Sequence, residues 1–364
     1  MVTAVQAVHA ALGLLSETSP DLARLAERAQ TLRERLLGFM QPVALGHVRW
    51  VDAAQGMRWV DSPLDISQAM RSLVRPVMAH ADEAPEPSAE PNSLSSNQAT
   101  QSSKTQTAAK SWVFTSATLG DEPGLSWFIK TSGLTDARTL QVPSPFDYAR
   151  MAAIWVPADL PAPSDSAHPR AVAQCVREVA DVLGGRTLVL TTTLKSMRLI
   201  AQYLREQPAR WEVLLQGESP KRDLTERFSN PARGSVLVAS ASFWEGVDVP
   251  GPALQCVVID KLPFAPPGDP LMDARAEQLT AQGLRPFVEL GLPHAAIALK
   301  QGAGRLIRSE TDQGLLVLGD TRLLTMSYGR RLLGALPPMR RLHTREEAID
   351  ALQAITRIAT TPFA

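Results

Sequence analysis

The sequence predicts an α/β fold, a parallel sheet with helices on both faces. Three observations carry that expectation. From Trp112 onward, short apolar runs end in small polar residues and are followed by stretches of helical character. Strands alternating with helices need crossover connections, which make the strands parallel and bury both sheet faces. A chain of 364 residues that is 45% hydrophobic also holds enough apolar material for a sizeable core. At ~100–200 residues per domain, it has room for two or three.

Composition narrows the function classes. The 37 basic and 37 acidic side chains cancel, which removes the signature of a whole-surface nucleic-acid binder and leaves room for a local basic groove. Two cysteines, Cys175 and Cys256, exclude a disulfide scaffold, a four-cysteine zinc site and an iron–sulfur cluster held within this chain. No run of about 18 apolar residues is present, so no membrane span is expected. Met1 opens no basic-then-apolar leader, and the cytoplasm is the expected compartment.

Residues 1–75 are rich in Ala, Leu, Arg and Glu. Ser19-Pro20-Asp21 marks a helix start, with proline near the first turn. After it, Leu22, Leu25, Ala29, Leu32 and Leu36 recur at three- and four-residue steps, an apolar stripe for a bundle or a short antiparallel coil. Val48–Val51 and Met57–Val60, separated by Gly56, read as a hairpin or as two short extended pieces. The stretch 80–110 is Pro, Ser, Glu, Gln, Thr, Asn and Ala without periodicity, and it reads as a disordered insertion. The expected strands are then Trp112–Phe114, Thr187–Leu190, Trp211–Leu215, Ser235–Ala239, Cys256–Ile259 and Gly314–Leu318. The expected helices are Ala171–Leu183, Leu194–Glu206, Lys221–Phe228, Asp269–Gln282, Leu292–Arg308 and Arg322–Leu336.

In parallel sheets chemistry gathers in the loops beyond the strands' carboxyl ends. Ser116-Ala117-Thr118 follows one apolar run, where its hydroxyls bond loop backbone, relay between sites or cap the next turn. Thr191-Thr192-Thr193-Leu194-Lys195-Ser196 joins a strand to a helix N-terminus; it suits an anion such as a nucleic-acid phosphate, or an ordinary threonine N-cap. Phe243-Trp244-Glu245-Gly246-Val247-Asp248 places two carboxylates and a permissive glycine beside two aromatic residues. Phe243 reads as core, and Asp248 suits a ribose hydroxyl or a neighbouring arginine. Gln301-Gly302-Ala303-Gly304-Arg305-Leu306-Ile307-Arg308 is the sharpest segment. A glutamine and two arginines on one helical face suit a polyanion whose charge grows during reaction. A glycine inside a helix costs ~1 kcal/mol relative to alanine, so Gly302 and Gly304 argue against a purely structural helix end. Asp312 and Asp320 follow, either orienting the arginines or capping turns.

In order along the chain, Ser116–Thr118, Thr191–Ser196, Glu245–Asp248 and Gln301–Arg308 resemble motifs III to VI of superfamily 2 helicases. The wording TSATL, FWEGVDVPG, DKLPFAPPGDP and QGAGRLIRSETDQG resembles the DinG/XPD-like branch, in particular its bacterial YoaA-type members. The resemblance implies a second RecA-like domain over 151–364, the end of a first RecA-like domain over 63–150 with the insertion inside it, and a helical arch remnant over 1–62. It implies that Gln301, Arg305 and Arg308 face the γ-phosphate of ATP, the arginines acting as fingers in cis. Glu245, Gly246 and Asp248 would line the nucleotide cleft, and Ser116 and Thr118 would couple nucleotide state to DNA grip. Thr192, Thr193, Lys195, Gln216, Ser242 and Trp244 would touch single-stranded DNA.

The chain departs from that family in three respects. It has no Gly-x-x-x-x-Gly-Lys-Ser/Thr phosphate loop, no DEAH-type box for Mg²⁺ and no four-cysteine iron–sulfur set. ATP and Mg²⁺ would then be held mainly by a missing N-terminal RecA-like half, where any iron–sulfur cluster would also reside. The expected function is the C-terminal half of an ATP-dependent helicase translocating on single-stranded DNA in repair or replication, with a replication or repair protein as a further partner. The alternative is a non-catalytic nucleic-acid or protein-binding module derived from one.

Overall fold

The computed structural model describes residues 1–53, 56–74, 111–120, 124–240, 243, 249 and 251–360. The chain divides into two compact units, residues 1–65 with 146–364, and residues 66–145. The expected insertion at 80–110 lies outside the described residues, as do Ser242, Trp244, Glu245, Gly246 and Asp248.

The larger unit opens with α1 (Val2–Leu15) packed against α2 (Pro20–Met40). Ser19 caps α2, its side chain accepting from the Asp21 N–H at 3.3 Å, as the Ser-Pro-Asp signature predicts. The apolar stripe is only partly used. Ala26, Ala29 and Leu36 are buried, but Leu25 and Leu32 remain exposed, because α1 covers a single flank of the helix. The hairpin forms, with β1 (His47–Asp52) antiparallel to β2 (Arg58–Pro63). Asp61 binds it together, accepting from the Arg49 guanidinium at 2.5 and 2.9 Å and facing His47 Nδ1 at 2.7 Å. Those contacts hold its carboxyl below the usual range, the His47 contact foremost.

The smaller unit contains α3 (Ser67–Val74) and α4 (Ser126–Ser132). The expected strand Trp112–Phe114 is not formed: these residues take no regular structure and, among the described residues, join no ladder. A strand needs a neighbour for its backbone groups as well as an apolar run, and an apolar run is all the sequence supplies here.

From residue 146 the α/β alternation resumes. The elements are α5 (Tyr148–Met151), β3 (Ala152–Trp155), α6 (His168–Leu183), β4 (Thr187–Leu190), α7 (Leu194–Arg205), β5 (Glu212–Leu215), α8 (Lys221–Phe228), β6 (Ser235–Ala239) and β7 (Cys256–Ile259). They continue with α9 (Pro270–Ala281), a π-helical turn (Phe287–Gly291), α10 (Leu292–Ala303), β8 (Gly314–Leu318), α11 (Arg322–Thr325), α12 (Gly329–Gly334), β9 (Arg340–Leu342) and α13 (Arg345–Thr360). The seven strands β3 to β9 pair in parallel in the order β5-β6-β4-β7-β8-β3-β9.

Alternate residues of each strand feed two separate cores. Leu188, Leu190, Leu237, Val257, Ile259 and Leu316 pack with α8, α10 and α12. Val189, Val236, Val238, Val258, Leu315 and Val317 pack with α6, α7 and α13. Cys175 and Cys256 both lie in the second core. Burial pushes the Cys175 thiol up to about 12 and that of Cys256 well above its ordinary value, so both are packing residues there.

Two expected helices are shorter than their patterns. Leu292–Arg308 ends at Ala303, and Arg322–Leu336 splits into α11 and α12. The first closes with the Gly304 N–H donating to Lys300 O at 2.9 Å, the last bond of the α-helical pattern, after which the Arg305 N–H donates only three residues back, to Gly302 O at 3.2 Å.

Candidate functional site

The parallel topology sorts the candidate residues onto two opposite edges of the sheet. The loops after β4, β5, β6, β7 and β8 lie at the carboxyl edge; the segments leading into β7 and β8 lie at the amino edge. The expectation that chemistry gathers beyond the carboxyl ends covers only the first group.

At the amino edge, Gln301 lies in the last turn of α10, while Arg305 and Arg308 lie beyond it, in the turn that leads to β8. The three therefore do not share a helical face, since the helix has ended before the first arginine. All three side chains are half-buried. Asp312, itself buried, organises this turn. One of its oxygens accepts from the Arg308 N–H at 2.7 Å and the Ser309 N–H at 2.8 Å. The other accepts from the Ser309 hydroxyl at 2.8 Å and the Gly251 N–H at 3.2 Å. Of the two roles open to Asp312, the structure shows the turn cap. That cap also ties the Arg308 turn to the end of the segment that carries Glu245, Gly246 and Asp248. Gly314 fixes the depth of the join, because a side chain there would meet Leu306 at 2.4 Å and Gln255 O at 2.7 Å.

At the carboxyl edge, the small polar residues mostly bond one another. Thr193 caps α7, accepting from the Ser196 N–H at 3.1 Å. Gln216 Oε1 accepts from the Ser240 N–H at 2.8 Å, joining the ends of β5 and β6. The Thr192 N–H donates to Asp260 Oδ1 at 2.9 Å. Lys195 is exposed on the first turn of α7. Thr193 thus forms the threonine N-cap that the sequence left open, and Gln216, which the family resemblance assigns to DNA, carries a bond between two loops. Phe243 is buried, in line with the core reading, beneath the Lys221 ammonium at 4.9 Å. In the smaller unit, Ser116 and Thr118 form a local turn, the Thr118 N–H donating to Ser116 Oγ at 3.1 Å.

The carboxyl edge also holds charged groups the sequence did not single out. Asp260 is buried, and burial pushes its carboxyl up to about 7, against the opposing pull of Lys261 and the N–H groups of Thr192 and Lys261. Nearby His168 is buried with no hydrogen-bond partner for either ring nitrogen among the described residues, and burial lowers its pKa. These two groups pull stability in opposite directions. Asp260 has an ordinary value of 3.8, so between about pH 4 and 7 the folded chain keeps a proton that the unfolded chain has lost. Its contribution is full below about pH 4 and disappears as pH rises to about 7; that of His168 is present at neutral pH and disappears on acidification. Asp260→Asn keeps the Oδ1 acceptor and removes the titration. We expect the variant to gain stability over the parent at pH 8 relative to pH 5, read from urea midpoints. An unchanged difference between variant and parent at the two pH values would place the titration elsewhere.

An aromatic cluster completes this edge. Phe264, Phe287 and Tyr328 come from three separate segments, with ring centroids 5.4, 6.0 and 5.2 Å apart. The Arg322 guanidinium lies 5.5 Å from the Phe264 centroid and pairs with buried Asp320 at 2.6 Å. Among the described residues, no group of three or more metal-ligating side chains comes together, and no helix is long and apolar enough to cross a membrane.

Residues 176–339 match the helicase C-terminal domain family. The chain is 44% identical over 242 residues to the ATP-dependent DNA helicase YoaA of Escherichia coli strain K12, a match covering 66% of this chain and 38% of that protein. It is 36% identical over 253 residues to the ATP-dependent helicase DinG of Mycobacterium tuberculosis strain ATCC 25618 / H37Rv, covering 67% of this chain and 37% of that one. Among solved structures it is similar to one titled XPD_Helicase, with 19% identity and a TM-score of 0.41 over 53% of this chain and 36% of the other. The chain thus spans less than two fifths of the length of these curated relatives.

Proposed function

We propose that this chain, which carries a helicase C-terminal domain over residues 176–339, is the second motor half of an ATP-dependent helicase acting on single-stranded DNA. In this reading residues 151–364 form the second RecA-like domain, 63–150 close the first, and 1–62 belong to an arch. The observation that carries it is the Asp312 clamp. A single carboxylate holds the Arg308 turn against Gly251, next to the segment bearing Glu245, Gly246 and Asp248. Gly251 follows Asp248 by three residues in the sequence, so in this reading the clamp joins the two sequence segments that the family resemblance assigns to the nucleotide.

The residues present fit part of an ATP site. Guanidinium groups are permanently charged, bidentate donors to phosphate oxygens, and the amide of Gln301 donates and accepts. ATP with Mg²⁺ would supply the transferable phosphoryl group. Arg305, Arg308 and Gln301 would bind and orient its terminal phosphate, while Glu245, Gly246 and Asp248 would face its other groups. A phosphate loop and the carboxylates for Mg²⁺ are not in this sequence, and such parts supply most of the nucleotide affinity. The expected result for the isolated chain is no measurable ATP hydrolysis, with or without single-stranded DNA. A phosphate-release assay showing steady turnover that Arg305→Ala abolishes would overturn this division of labour.

At the carboxyl edge, Thr192 and Lys195 are proposed strand contacts, with Thr193 and Gln216 holding the loops there; by the family resemblance Ser242 and Trp244 would add to them. Ser116 and Thr118 would link nucleotide state to grip on the strand. A protein partner in replication or repair is compatible with this role, and no residue identifies one.

A further inference from the structure

We propose that Phe287, backed by Phe264 and Tyr328, is a nucleobase-stacking platform for single-stranded DNA. This inference rests on the nucleic-acid reading above and adds a site to it. Three observations converge on the same point. First, Phe287 is 45% exposed although it sits 5.4 Å from Phe264 and 5.2 Å from Tyr328. The two half-buried rings fix its position at steep interplanar angles, which leaves part of its own surface open. Second, Phe287 opens the π-helical turn Phe287–Gly291. Such turns are rare in helices, since they give up the regular bonding pattern, and they concentrate at functional sites. Third, cations lie around the cluster. Arg285 is exposed two residues before Phe287, and Arg322, paired with Asp320, sits against Phe264. An open ring on a rigid support with arginines nearby is the arrangement that binds single strands: the ring stacks a base and the cations track the backbone.

Its place in the fold gives the platform a consequence. The π turn runs directly into α10, and α10 ends at Ala303, immediately before the Arg305 and Arg308 turn. Twelve helical residues span about 18 Å, from the carboxyl edge of the sheet to the amino edge. The proposed base contact and phosphate contact thus flank the two ends of one helix.

The test uses the 364-residue chain and two fluorescent single-stranded oligonucleotides of about 20 units, thymidine and abasic, with the same number of phosphates. Fluorescence anisotropy gives the affinity for each. The parent chain is expected to prefer the base-bearing strand by about 5- to 150-fold, the range for one stacked base. Phe287→Ala and Phe287→Leu are both expected to erase that preference while leaving abasic binding unchanged; the leucine variant keeps apolar bulk and circular dichroism checks folding. Equal parental affinity for the two strands, or an equal loss for both in the variants, would overturn the platform while leaving the nucleic-acid reading in place. Binding of neither strand by the parent chain would overturn that reading, and the platform with it.

Discussion

If the proposed function holds, Arg308→Ala in this chain joined to a phosphate-loop RecA-like half is expected to lower ATP turnover by about 10³-fold or more while leaving single-strand affinity nearly unchanged. The magnitude follows from the chemistry. A guanidinium that meets a transferring phosphoryl group contributes most when negative charge has spread over the phosphate oxygens, so its loss falls on kcat. The selectivity follows from the fold. Arg308 precedes β8 at the amino edge, whereas Thr192, Lys195 and the aromatic cluster lie at the carboxyl edge of the same sheet. Arg308→Lys keeps the charge and loses the bidentate fork, so an intermediate loss is expected. The Asp312 bonds go to backbone N–H groups, so the turn survives both replacements. Comparable losses in turnover and strand binding would mean that Arg308 shapes the domain without serving the phosphate.

The parts of this fold that the sequence discloses are those fixed locally. β4, β6, β7 and β8 are found to the residue because each is a short apolar run that must be buried on both faces, bounded by residues that cannot continue it. β3 and β9 escape the same reading. Ala152-Ala153-Ile154-Trp155 carries too little β-branched character to stand out, and Arg340-Arg341-Leu342 is a charged edge strand whose identity comes from its pairing with β3. Gln301, Arg305 and Arg308 are legible as a group because they lie within one turn or two of each other. Their relation to Gly251 is not, because Asp312 makes it across 61 positions of sequence. The aromatic cluster is hidden for the same reason. Phe264, Phe287 and Tyr328 are isolated rings in three separate segments, and only the return of the chain to the same sheet edge brings them together.

The second large effect concerns that edge. Asp320→Ala is expected to destabilise the domain by about 3–5 kcal/mol, read as a lower urea midpoint with an unchanged slope. Asp320 is 1% exposed and has four kinds of donor around it. It accepts from the Leu262 N–H at 2.8 Å and the Arg322 N–H at 3.0 Å, and from Arg322 Nε at 2.9 Å and its terminal nitrogen at 2.6 Å. The carboxylate therefore joins the loop after β7 to the loop after β8. Removing it orphans a buried amide and leaves the guanidinium without its counter-charge, which costs more than the pair itself contributes. Arg322 is 32% exposed, so water recovers part of that loss and the lower end of the range is expected. Asp320→Asn retains an acceptor for the amide and should lose less, which separates the backbone bond from the ion pair. A double-mutant cycle with Arg322→Ala isolates the pair directly. If Asp320→Ala costs under about 1 kcal/mol, the two loops are held independently. Phe264 would then owe its position beside Phe287 and Tyr328 to ring packing alone, without the arginine beneath it.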